Sequence, residues 1–71
     1  MSQWGACKAK HLYRALLKRG WTLKREAKGS HRILQHEGCS NFVFSFHDGE
    51  EIGPRMLSRI AKQTGLEPND L

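Results

Sequence analysis

The sequence predicts an α+β fold of order α-β-β-β-α, a three-stranded antiparallel sheet with both helices laid across one face. Three observations predict it. Two stretches, residues 8–19 and a run beginning near Pro54, carry apolar residues at helical spacing. Between them, three short runs alternate apolar and polar residues and are separated by turn residues. The chain is also short. Its 71 residues make one domain, 1–71, with the core drawn from 8–66 and short polar termini. A domain this small buries only ~60% of the surface its unfolded chain exposes, so the large apolar side chains are needed inside.

In the first helix, Leu12, Tyr13, Leu16 and Leu17 define one face, and Lys8, Lys10, Arg14 and Lys18 fill the remainder. Gly20 supplies a left-handed stop, and Trp21 can fold back on the last turn. Residues 21–26 read as a strand with Trp21 and Leu23 on one face and Thr22, Lys24 and Glu26 on the other. Lys28-Gly29 signals a tight turn. Residues 30–36 form the second run, Glu37-Gly38-Cys39-Ser40 turns the chain, and residues 41–46 form the third, with Phe42, Phe44 and Phe46 pointing one way. A polar loop, His47 to Glu51, leads to the second helix, where Pro54 suits the first position. Leu57, Ile60, Ala61 and Thr64 form its apolar stripe, and Gly65-Leu66 repeats the ending of the first helix. The last five residues read as a short acidic tail. The expected core is Trp21, Leu23, Phe42, Phe44, Phe46 and the two helical stripes. This layout is similar to that of double-stranded RNA-binding domains; the likeness concerns architecture, not activity.

Charge bears on the partner. Twelve Lys and Arg against seven Asp and Glu leave a net charge of +5. On so small a surface that makes a positive potential, and nucleic acid is the partner physics suggests first, because neutralised phosphates release counterions. An acidic protein would answer the same charge. A thin core also excludes a deep, enclosed pocket for a small metabolite, which favours a polymer bound on an open face. Cys7 and Cys39 form no C-x-x-C pair, which predicts free thiols in a reducing cytosol. The N-terminus lacks the apolar run of a signal peptide, and no segment approaches the ~20 apolar residues of a membrane span. A cytoplasmic protein with no membrane partner is the expectation.

At Gly29-Ser30-His31-Arg32-Ile33-Leu34 the sequence stops being generic. A Gly-Ser-His turn opening the second strand, after a helix ending in Lys-Arg-Gly-Trp, resembles the HicA toxin family. So does the closing stretch from Leu57 to Leu66, and the loop with His47 falls where that family often has a Pro-His element. The resemblance covers residues 8–66. Two positions depart from the family pattern: Phe46 precedes His47 in place of proline, and Ile52-Gly53-Pro54-Arg55 replaces a Pro-Gly-Thr-like approach to the helix. The resemblance implies an mRNA interferase, a ribonuclease needing no metal or other cofactor, neutralised by a HicB-type antitoxin. It implies that His31 is the catalytic histidine.

The chemistry suits these residue types. RNA carries its own nucleophile, the 2′-hydroxyl, and an imidazole, with an ordinary pKa of ~6.5, is a natural base for its proton. If Leu34 faces the core, strand alternation puts His31, Ile33 and Gln35 on the open face; if Ile33 faces inward, His31 turns toward the helices. Adjacent apolar residues leave that register open, with the first arrangement preferred. Lys24, Lys28, Ser30 and Arg32 lie close in sequence to the turn and are candidates for phosphate contact. Arg55, Arg59 and Lys62 recur along one side of the second helix and are candidates too. Each alone reads better as a solvated surface residue; as a set, with a net charge of +5, some of them are expected to meet RNA. His36 and His47 are candidates for a second acid–base group, and His11 is a weaker one. A zinc set of His31, His36, Cys39 and His47 matches no familiar spacing. The competing function is a non-catalytic RNA-binding module of the same layout, and a third is a domain kept mainly to bind a partner protein.

Overall fold

The computed structural model describes residues 4–27 and 31–71. The elements are β1 (Cys7–Lys8), α1 (Ala9–Lys18), β2 (Thr22–Glu26), β3 (Arg32–Gln35), β4 (Phe42–Phe44), β5 (Glu51–Ile52), α2 (Pro54–Thr64) and a 3₁₀ turn at Pro68–Asp70. Strands β2, β3 and β4 form an antiparallel meander, and β1 pairs with β5 in a separate two-stranded sheet. The α-β-β-β-α succession is therefore present with two short strands added. Two residues are too few to show a period, and β1 and β5 depend on a contact between distant segments. The Ala9 and Lys10 N–H groups donate to the Glu50 and Asp48 carbonyls, at 2.8 and 3.2 Å. A helix leaves its first N–H groups unpaired, and here the loop after β4 satisfies two of them in place of a side-chain cap.

One buried cluster joins Leu12 and Leu16 of α1, Leu34, Phe42 and Phe44 of the sheet, and Leu57 and Ile60 of α2. Both helices thus pack on the face of the sheet that carries Leu34, Phe42 and Phe44. Phe46 packs against the cluster from beyond the end of β4, half-buried, with its ring 5.3 Å from that of Phe44. Among the described residues, no helix is long and apolar enough to cross a membrane.

Four expectations need correction. Leu23 lies opposite Leu34 but is 42% exposed: every residue of β2 is exposed, and none of them joins the buried cluster between the sheet and the helices. The register also slips between Leu23 and Arg25, so Lys24 is an extra, bulged residue. A bulge resets the alternation, and Glu26 pairs with Arg32 on the helix side, where simple alternation put it on the face opposite Trp21 and Leu23. In α1 the buried residues are Ala9, Leu12, Ala15 and Leu16, while Leu17 is 40% exposed; the inward stripe is rotated toward the alanines. The C-terminal residues are not a tail. Arg19 pairs with Asp70 at 3.1 Å and with Glu67 at 3.5 Å, and Leu71 packs against the core.

The glycine stops hold. Gly20 has φ +104° and Gly65 φ +80°, a region that costs other residues about 1–2 kcal/mol. A Cβ on Gly20 would also meet His36 Nε2 at 3.0 Å, whereas one on Gly65 meets nothing within 4 Å. Gly20→Ala is therefore expected to destabilise the domain more than Gly65→Ala in chemical denaturation. Equal losses would exclude a contribution from the His36 contact.

Both cysteines are free. Cys7 is half-buried, and burial, followed by the nearby Glu51 carboxylate, pushes its thiol pKa up. A raised pKa means less thiolate at a given pH and slower alkylation. Iodoacetamide at pH 8 should modify the exposed Cys39 several-fold faster than Cys7, as peptide mass mapping would show. Faster reaction at Cys7 would contradict its packing.

Candidate functional site

His31 is exposed and stands immediately before β3. Its carbonyl accepts a hydrogen bond from the Ala27 N–H at 2.8 Å, one link beyond the Glu26–Arg32 pair. The imidazole is therefore carried on backbone tied to the end of β2. Leu34 is fully buried and Ile33 only half-buried, opposite Val43, which is 49% exposed. That decides the register left open by the sequence: Leu34 faces the helices and Ile33 the open side. Alternation one step past Arg32 puts His31 on the open side with Ile33.

Arg32 goes the other way. It pairs with Phe44 on the helix side, and its guanidinium lies 4.7 Å from the centre of the Tyr13 ring. It also reaches Asp48 at 3.6 Å and Glu26 at 4.0 Å. Both carboxylates are well exposed, so each pairing contributes at most about 1 kcal/mol and a phosphate can compete with it.

The other candidates are dispersed. Lys24 is the exposed bulge residue of β2. Lys28 and Ser30 lie outside the described residues. Arg55, Arg59 and Lys62 are exposed on α2, Arg55 and Arg59 beside a shallow depression that includes Pro54 and Met56. They belong to the helix layer, while His31 belongs to the open side. His36 is half-buried, with its ring 5.4 Å from Trp21 and Nδ1 2.9 Å from the Glu37 carbonyl. Cys39 Sγ lies 3.8 Å from the same nitrogen. Five residues along an extended chain, roughly 16 Å, separate His36 from His31, too far for joint action on one phosphate. His47 is better placed. Arg32 pairs with Phe44, so the next step sets His31 opposite Ser45, two residues before His47. The exposed His47 sits in a turn closed by the Glu50 N–H on its carbonyl at 2.9 Å. His11 is exposed on α1, beside Trp4, Cys7 and Leu71. Among the described residues, no three His, Cys, Asp or Glu side chains gather into a metal-binding group.

Three residues that the sequence marks for no functional role lie at the same end of the sheet. Lys10, Tyr13 and Arg14 of α1 border a polar depression with Glu26, Arg32 and Asp48. The i, i+4 spacing of Lys10 and Arg14 was visible in the sequence. Its nearness to β3 was not, because the hydrogen bond from Lys10 N–H to Asp48 joins segments far apart in the chain.

The sequence model of a family described as HicA toxin of bacterial toxin-antitoxin matches residues 9–66, most of the chain. No curated protein matches it.

Proposed function

The chain belongs to the HicA toxin family, and from that premise we propose that it is a metal-independent endoribonuclease with His31 as its general base. Toxins of this family are mRNA interferases and pair with an antitoxin; for this chain we propose mRNA as substrate and a HicB-type protein as antitoxin. The observation that carries the reading is the placement of His31, exposed on the open side and tied by its backbone to the end of β2.

The reaction needs little from the protein. His31 takes the proton of a ribose 2′-hydroxyl, whose oxygen attacks the adjacent phosphorus in line. The bond to the 5′-oxygen breaks, and that oxygen leaves with a proton from a second group. His47, carried to the same end of the sheet, is the side chain proposed for that role. The products are a 2′,3′-cyclic phosphate and a 5′-hydroxyl end. Lys24, Lys28, Ser30, Arg32, Arg55, Arg59 and Lys62 are proposed to meet the RNA backbone, supported by the net charge of +5. His31, Lys24 and Arg32 are near enough to one end of the sheet to serve one strand. The α2 cations would meet a different part of the RNA.

The test is cleavage of a defined, end-labelled mRNA in EDTA by the wild type and by His31→Ala. Cutting by the wild type alone, with cyclic phosphate ends, is expected. RNA binding without scission by the wild type would replace the enzyme with a non-catalytic RNA-binding module. Scission by His31→Ala would move the general base elsewhere.

A further inference from the structure

We infer that Lys10 and Arg14 of α1, with Arg32 of β3, form a phosphate subsite that holds the RNA backbone next to the scissile position. The inference rests on the RNA-cleaving reading above and adds residues to it. The depression bordered by Lys10, Tyr13, Arg14, Glu26, Arg32 and Asp48 has a volume of about 360 Å³, ample room for a phosphate group. Three cations and two carboxylates line it. Both carboxylates are directed to Arg32, at 3.6 and 4.0 Å. Among the described residues, Lys10 and Arg14 form no ion pair, so neither has to leave a carboxylate to meet a phosphate.

Position supplies the second argument. Arg32 follows His31 directly, and the two alternate to opposite sides of the same strand end. The Asp48 carbonyl holds the start of α1 beside that end through the Lys10 N–H. A strand of RNA whose scissile phosphate lies at His31 can therefore pass over the end of the sheet and present a neighbouring phosphate to Lys10 and Arg14. Arg32 rests over the Tyr13 ring, a cation–π contact that helps hold the guanidinium in place. Phosphate would compete with Asp48 and Glu26 for it. The two carboxylates thus oppose RNA here, which gives the subsite a signature of opposite signs.

The experiment measures binding of an oligoribonucleotide made uncleavable by 2′-O-methyl groups to the full chain carrying His31→Ala, as a function of salt. Adding Lys10→Ala and Arg14→Ala together should weaken binding about tenfold. It should also lower the slope of log affinity against log salt by about 0.7, one phosphate on a single strand. Adding Asp48→Asn should tighten binding about threefold, the repulsion between two charges about 6 Å apart in water. A purely structural role for Asp48 predicts no such gain. Lys18→Ala, farther along the same helix and outside the depression, should leave the slope unchanged. An unchanged slope in the Lys10/Arg14 variant, or weaker binding in Asp48→Asn, overturns the subsite. If the His31→Ala parent does not bind and the wild type does not cut RNA, the reading beneath the proposal fails instead.

Discussion

Replacing His31 with alanine should lower the rate of RNA cleavage by about 10²–10⁴-fold, the contribution of a positioned general base. The protein should otherwise be little changed. The side chain is exposed, and the hydrogen bond that anchors this position runs from the Ala27 N–H to the His31 carbonyl, which alanine also provides. Surface substitutions of this kind usually alter stability by no more than about 0.5 kcal/mol, so the thermal unfolding curves of the two proteins should nearly coincide. RNA affinity should also persist, because the contacts proposed for it are made by the cations. In cells, expression of the wild type should arrest growth and expression of His31→Ala should not. The combination is diagnostic: loss of cleavage with retained fold and retained binding places His31 in the chemical step. Loss of binding in parallel would make His31 a contact residue and leave the base unassigned.

Trp21→Ala should have the largest effect on stability, a loss of about 3–5 kcal/mol. Trp21 is 1% exposed and joins several elements of the fold. Its backbone N–H donates to the Leu16 carbonyl and ties the turn to α1. Its ring lies 5.4 Å from His36 and 6.4 Å from Phe42, and its indole N–H donates to the Thr64 carbonyl at the end of α2, 3.1 Å away. The whole stability of a domain this size is about 4–10 kcal/mol, so the variant should be largely unfolded at growth temperature or melt roughly 15–30 °C lower. Trp21→Phe separates the two contributions. It keeps an aromatic ring but leaves the Thr64 carbonyl without its donor, at a cost of about 1–3 kcal/mol. Thermal and urea unfolding followed by circular dichroism measure both. A loss under 1 kcal/mol in Trp21→Ala would mean that the helices and sheet hold together without this residue.

Much of the fold is legible in the sequence because it depends on local rules. Helical spacing located α1 and α2, and alternation located β4 and its inward phenylalanines. Gly20 and Gly65 marked the helix ends because a left-handed backbone favours a residue without a Cβ. The Gly-Ser-His element and the stretches around it were enough to indicate the family, since those residues are recognised as a pattern in one dimension. The net positive charge was likewise a property of the chain alone.

The remainder depended on contacts between distant residues, and only the tertiary structure decided it. Ile33 and Leu34 are adjacent and equally apolar, so the helices had to be in place before Leu34 could be seen inside and His31 on the open side. The bulge at Lys24 reset the alternation of β2 and brought Glu26 to the side of Arg32, which no period in the sequence records. Strands β1 and β5 exist because each supplies the other's partner. The acidic C-terminal residues became a docked turn once Arg19 lay beside them. For the same reason Lys10, Tyr13 and Arg14 entered the proposed site only when α1 was seen next to the end of β3. Local propensity sets which element each residue belongs to, but a site is made of residues from several elements, and packing sets which of them meet.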